Sequence, residues 1–310
     1  MQHMKYDIVG DIHGHADTLE VLLHKLGYKR KFGVYSHPEN RKMVFVGDFI
    51  DRGPKIRETL HLVRAMIESE NALAVMGNHE FNAISFHTPH VEKGGFFRDH
   101  SFKEIRQHFS TLEQFKHFDS EFADFLEWFK TLPLYLELEA FRVVHACWDQ
   151  QHIDYLKGNY SGISTELLTL GNDKDGGSAT YHAVNDTLKG KESHLPDGQS
   201  FVDKDGTERH ECRIQWWALP EHRTKLKDVL IGCPDSICEH SIPADASYLS
   251  YTDAKPVFFG HYWLSGEPDM KNPSAICLDY SVAKDGILVA CRLGEKDGEM
   301  TKTFVTQRAV

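Results

Sequence analysis

The stretch Met43-Val44-Phe45-Val46-Gly47-Asp48-Phe49-Ile50-Asp51-Arg52-Gly53 decides the reading of the fold. Four apolar residues make a buried-type strand, and the chain then breaks into a turn that carries two acids, an arginine and two glycines. The same phrase recurs on both sides. Upstream, the apolar run Tyr6-Asp7-Ile8-Val9 ends in Gly10-Asp11-Ile12-His13-Gly14, and downstream, residues 72–76 run into Gly77-Asn78-His79-Glu80. Helical spacing fills the gaps: Leu19, Leu22, Leu23 and Leu26 lie between Asp17 and the stop at Gly27, and Ile56, Leu60, Val63 and Ile67 mark a second helix over 56–68. Strands that alternate with helices, each strand ending in a polar turn, define an α/β fold in which ligands gather at the strand ends.

Further along, residues 96–129 are helical and aromatic, and a strand over 141–144 ends at His145. Strands resume over 256–259, ending at Gly260-His261, then over 275–278 and 287–293. Between them, residues 150–254 show a weaker pattern broken by turn signals at 171–177, 195–198 and 203–206. They read as an insertion or cap within a single domain of residues 1–310. The turns lack the alternating acids and distal glutamate of a calcium loop.

Composition narrows the function. With 35 Lys and Arg against 46 Asp and Glu, the formal charge is 35 − 46 = −11, which opposes nonspecific nucleic-acid binding and adhesion to anionic membranes. No stretch approaches the roughly 20 apolar residues of a membrane span. Residues 1–7 lack the apolar run of a secretory signal, and the six cysteines are scattered, so the expectation is a cytoplasmic protein with free thiols. Cys233, Cys238 and His240 lack the second pair of ligands that a zinc knuckle needs.

The strand ends carry the chemistry. Asp11, His13, Asp48, Asn78, His145 and His261 mix hard oxygens with imidazole, a set suited to Mn²⁺, Fe or Zn²⁺. Six ligands are too many for one catalytic ion that keeps an open position, but they fit two cations sharing a carboxylate, with Asp48 as the bridge. Two such ions about 3.5–4 Å apart hold a bridging hydroxide and neutralise phosphate oxygens during in-line attack. That chemistry is phosphoester hydrolysis.

These blocks, Asp11-x-His13, Gly47-Asp-x-x-Asp51-Arg-Gly53, Gly77-Asn-His-Glu80, His145 and Gly260-His261, resemble in order the pattern of the binuclear metallophosphoesterase superfamily. They are most similar to its phosphoprotein phosphatase and diadenosine tetraphosphatase branch. The resemblance implies a β-sandwich of mixed sheets flanked by helices. It also implies Asp11 and His13 on one divalent metal ion, Asp48 between the two ions, and Asn78, His145 and His261 on the second. By the same resemblance His79 is the general acid that protonates the leaving alkoxide, and Asp51 orients it. A carboxylate partner that fixes the tautomer and keeps the ring cationic fits that role. Arg52 would grip phosphate oxygens with its planar fork.

Two departures bear on the substrate. The lone histidine is followed by Ala146-Cys147-Trp148 where the branch usually has glycines, and a second phosphate-binding arginine has no obvious position, with Arg213 and Arg223 as candidates. The last block lacks the second histidine typical of the superfamily's nucleases. The expected activity is therefore a metal-dependent phosphatase acting on a phosphoprotein or a small phosphomonoester, with a dinucleoside polyphosphate hydrolase as the alternative and a catalytically dead scaffold as the rival outside enzymology. Glu80 reads as a helix cap, His87, His90 and His100 as candidates for the site entrance, and Trp216 and Trp217 as core.

Overall fold

A computed structural model describes residues 5–195, 199–202, 208–242 and 248–310; the turn read at 203–206, and the one at 195–198 apart from Leu195, lie outside these. Two sheets face each other. In the larger, the parallel strands Tyr6–Val9, Lys42–Phe45 and Ala72–Ala74 lie side by side, and Tyr6–Val9 also pairs antiparallel with Ile287–Lys296. That long strand in turn pairs with Asp279–Tyr280 and, along its whole length, with Glu299–Arg308. The second sheet runs in the order Ala275–Cys277, Val257–Phe259, Arg142–Val144, Tyr135–Glu137. Glu299–Arg308 was not foreseen. Its alternation is polar, with no fully buried residue, so it carries no apolar signature.

Period-two alternation explains the layering. Ile8, Val44, Val46 and Val75 of the first sheet point at Phe141, Val143, Phe258 and Ile276 of the second and make the core of the sandwich. The other face of the first sheet, with Val9, Met43, Phe45, Ala72 and Ala74, is covered by helices Ala16–Lys25 and Ile56–Glu68 through the leucines and isoleucine that gave them their helical spacing. The outer face of the second sheet supports Trp216, Trp217, Leu226, Val229 and Tyr262. The α/β sandwich of mixed sheets flanked by helices is thus the observed architecture.

Residues 150–254 serve in two ways. Their first part forms three helices, Gln150–Asn159, Thr165–Asn172 and Ala179–Lys189, whose Leu156, Leu167, Leu168, Ala183, Val184 and Leu188 join the same core as the helices of the first sheet. The first two of these helices bury two and three residues, too few to set a strong period, and Ala179–Lys189 buries five, of which two are threonines with no apolar signature. The later part builds a small sheet, Glu192–His194, Glu211–Ile214 and Leu230–Ile231, over the outer face of the second sheet. The six cysteines are all free. Among the described residues, no helix is long and apolar enough to cross a membrane.

Candidate metal centre

The sandwich geometry brings the strand ends together. Asp11 and His13 follow the first strand, Asp48 follows the second, Asn78 opens helix Asn78–His87 after the third, and His145 and His261 follow two neighbouring strands of the opposite sheet. All six are buried. Asp48 stands at the centre: its Oδ2 lies 3.6 Å from His13 Nε2, 3.4 Å from His145 Nε2 and 3.9 Å from His79 Nε2. Two groups of side chains could hold an ion, His13, Asp48 and His79 on one side and Asp48, His145 and His261 on the other, and Asp48 belongs to both. Asn78 Oδ1 accepts from His145 Nε2 at 3.0 Å and His261 Nδ1 at 2.8 Å, so three of the residues expected on the second ion converge on one point.

The donor set fits cations. Asp11 Oδ1, His13 Nε2 and His261 Nε2 are buried with no hydrogen-bond partner, a state that buried polar atoms rarely keep unless something else satisfies them. Burial lowers the pKa of His13 to about 3, and burial and the charge of Arg213 hold His261 well below the usual histidine range. Both rings therefore offer the neutral lone pair that a metal requires. Burial together with the charges of Asp279 and Asp48 pushes Asp11 well above the carboxylate range. Crowded buried acids of this kind are relieved by positive charge.

Backbone geometry is unusual at the site. His13, Asp48, Asp51, Arg52, His261 and Trp263 all have φ between 44° and 75°, a left-handed conformation that L residues seldom adopt and that clusters at functional sites. Two glycines are required by contact. A Cβ on Gly260 would sit 1.8 Å from Asp11 Oδ1, and one on Gly77 would sit 2.2 Å from Asp48 Oδ1. Each glycine thus makes room for a carboxylate reaching in from another strand.

His79 and its neighbours form a second unit. His79 Nδ1 lies 2.5 Å from Asp51 Oδ2 and its backbone N–H donates to Asp48 Oδ1 at 3.0 Å. Burial pushes the His79 ring down, but the charges of Asp48 and Asp51 and the Asp51 hydrogen bond carry its pKa above the ordinary value. Arg52, exposed at the rim, stacks its guanidinium 4.0 Å from the centre of the Trp263 ring, which also receives Lys284 Nζ at 4.3 Å and lies 5.7 Å from the His13 ring. Trp263 is in turn anchored by its backbone N–H to buried Asp279 at 2.7 Å. Arg213, on the Glu211–Ile214 strand, comes close enough for its charge to act on His261. Arg223 instead donates to the carbonyls of Ala218, Trp216, Tyr248 and Leu249 and ties loops together.

Glu80 does more than cap. Its Oε2 accepts from Gly77 N at 3.0 Å, closing the helix start, and also from Asp48 N at 2.9 Å, while Oε1 accepts from Phe49 N at 2.8 Å and Ile50 N at 3.4 Å. One carboxylate thus holds two of the motif turns. Of the entrance histidines, His100 stacks on Phe86 and Phe96 and His90 packs on Phe97, whereas His87 reaches His108. Trp148 packs on Tyr135 and carries Arg142 on its face. His108, Thr111, Asp279 and Trp263 are site residues that sequence reasoning missed. His108 and Thr111 left no sequence signal, because helix Phe102–Phe115 buries them with Phe115 while Phe102 and Phe109 face solvent.

Residues 4–262 match the family described as calcineurin-like phosphoesterase. Over 143 residues the chain is 35% identical to the asymmetrical bis(5'-nucleosyl)-tetraphosphatase PrpE of Oceanobacillus iheyensis, a match covering 46% of this chain and 55% of that protein. It is 32% identical over 170 residues to the PrpE of a Geobacillus species, covering 53% of this chain and 65% of that one. The chain spans less than two thirds of the length of these curated relatives. A protein serine/threonine phosphatase from Saccharomyces cerevisiae shares the fold, with a TM-score of 0.53 at 15% identity over 99% of this chain and 80% of its own. With its family match running through every motif turn from Asp11 to His261, the chain belongs to the calcineurin-like phosphoesterase family.

Proposed function

We propose that this protein is a hydrolase of phosphate esters that works with two divalent cations, held by Asp11, His13 and Asp48 on one side and by Asp48, Asn78, His145 and His261 on the other. The observation that carries the reading is the position of Asp48, whose single carboxylate belongs both to the cluster with His13 and His79 and to the cluster with His145 and His261. When bound, such ions activate a water as nucleophile and neutralise phosphate oxygens. The chain's own residues supply the rest. Arg52, braced on Trp263, offers its fork to the nonbridging oxygens, and Arg213 adds positive charge on the His261 side. His79, whose pKa the Asp51 carboxylate raises, donates its proton to the departing oxygen, and Asp51 holds the ring in the donating orientation.

Two substrate classes fit. A phosphoprotein or small phosphomonoester leaves as an alkoxide and draws fully on the His79 proton. A dinucleoside polyphosphate leaves as a phosphate, a far better leaving group, and draws on it little. The second class is supported by the names of the PrpE relatives and stands level with the first. Protein loaded with Mn²⁺ is expected to hydrolyse p-nitrophenyl phosphate, and turnover of a phosphoserine peptide against diadenosine tetraphosphate ranks the two classes. Inactivity on all three refutes the hydrolase reading and leaves the scaffold.

A further inference from the structure

Asp51 is held by more groups than the orientation of one histidine requires. Its Oδ2 faces His79, while its Oδ1 receives His108 Nδ1 at 2.8 Å and the Thr111 hydroxyl at 2.5 Å, and the Asp51 N–H donates to Thr111 Oγ1 at 3.1 Å. His108 is itself gripped from behind, with its Nε2 3.2 Å from His87 Nε2. His108 carries a hydrogen on Nδ1, since the carboxylate of Asp51 can only accept, and its other ring nitrogen shares a hydrogen bond with His87. His79 faces Asp51 from the other side.

The helix that supplies His108 makes the arrangement deliberate. On Phe102–Phe115 the inward positions are His108, Thr111 and Phe115, whereas Phe102 is 79% exposed and Phe109 57% exposed. A helix that only needed packing would turn its phenylalanines inward and its histidine to water. A buried histidine and threonine each make a hydrogen bond to Asp51, in the left-handed turn at φ 65° that the two of them brace.

We propose that His108, seconded by Thr111 and held from behind by His87, is a positioning residue for phosphoester hydrolysis: it pins Oδ1 of Asp51 so that Oδ2 stays on His79 Nδ1 and the His79 proton is aimed at the leaving oxygen. His108 touches no substrate and no expected metal ligand. It acts through Asp51, and the inference rests on the reading of His79 as the leaving-group acid.

The test compares an alkyl phosphate, glycerol phosphate, with p-nitrophenyl phosphate, whose leaving group needs no proton, on the full chain loaded with Mn²⁺. His79→Ala sets the scale, since general acids contribute about 10²- to 10⁴-fold. His108→Ala is expected to lower kcat on the alkyl ester ~10- to 100-fold and on the aryl ester by a few-fold at most, with KM and bound metal unchanged, as a misplaced catalytic group does. His108→Asn keeps an N–H near the place of ring Nδ1 and is expected to restore most of the alkyl rate. Thr111→Val, nearly isosteric and without the hydroxyl, is expected to give a smaller split in the same direction and serves if His108→Ala fails to fold. In the metal-free protein, proton NMR should show the His79 N–H bound to Asp51 in wild type and His108→Asn, but broadened by exchange in His108→Ala. Equal losses on both esters, loss of metal, or no rescue by His108→Asn while His79→Ala keeps its split overturn the role of His108 alone. Absence of a split in His79→Ala overturns the acid assignment and the role of His108 with it.

Discussion

Replacing Glu80 with alanine is predicted to destabilise the metal-free protein in a pH-dependent way. The side chain is fully buried and accepts three short backbone N–H bonds, from Gly77, Asp48 and Phe49, with a longer fourth from Ile50. Orphaning a buried donor costs about 1–3 kcal/mol, so three orphans sum to ~3–9 kcal/mol. Ionisation opposes this. Burial, then the charge of Asp48, raise the pKa of Glu80 from 4.5 to about 7, above its unfolded value. The fold therefore binds a proton that the unfolded chain releases, and the stability this provides is present below pH 4.5 and lost as pH rises through 7. At 1.36 kcal/mol per unit, moving from about pH 5.5 to above pH 7 removes roughly 1.5 × 1.36, or ~2 kcal/mol, from wild type and nothing from a variant without the group. Urea titrations at about pH 5.5 and pH 8 should show Glu80→Ala less stable than wild type at the lower pH, with the gap narrowing by ~2 kcal/mol at the higher. A gap under ~1 kcal/mol at about pH 5.5, where ionisation has removed only ~1.4 of the ~3 kcal/mol minimum expected from three orphans, would refute the bracing role. An equal gap at the two pH values would refute the raised pKa.

Three other outcomes follow from the geometry. Asp48→Asn is expected to lower occupancy of both metal positions, as read by metal analysis after dialysis, because the same carboxylate faces His13 and His145; loss of a single equivalent would contradict the bridge. Gly260→Ala puts a methyl 1.8 Å from Asp11 Oδ1 and should abolish metal uptake while melting the chain several degrees lower, whereas unchanged metal content would show that Asp11 is no ligand. Trp263→Ala removes the ring under Arg52, a contact of about 0.5–2 kcal/mol, and should raise KM for p-nitrophenyl phosphate ~2- to 30-fold with metal content intact.

What the sequence made legible follows from chemistry that is local. Asp11, Asp48, Asn78 and His145 each sit within four residues of a strand end, so a short apolar run followed by a polar turn located them before any contact was known. The layered α/β sandwich was legible for the same reason, since Val44 and Phe45 point to opposite cores and alternation predicts as much. His108 and Thr111 were not legible in that way. They lie 57 and 60 residues from Asp51 on a helix whose apolar face is turned outward, and pattern reading assigns the inward face to the phenylalanines. Asp279 escaped because its partner is the backbone of Trp263, which no side-chain pattern encodes. The helices over 150–189 escaped because the first two bury only two and three residues and the third fills two of its five buried positions with threonine.

The clustering of left-handed residues changes how the net charge should be understood. The six side-chain-bearing site residues at φ above 40° raise the energy of the folded state by about 1–3 kcal/mol each, and so do the two buried acids Asp11 and Asp279, whose pKa values burial and neighbouring acids raise. The fold holds this arrangement through bonds that lie outside the cluster of expected ligands: Glu80 on the turn of Asp48, Asp279 on Trp263, Thr111 on Asp51. A centre held that way presents crowded acids that four positive charges from two divalent ions would more than neutralise. An acidic protein of net charge −11 can then expose a local positive field, with Arg52 at its rim, to a phosphate that the surface as a whole repels.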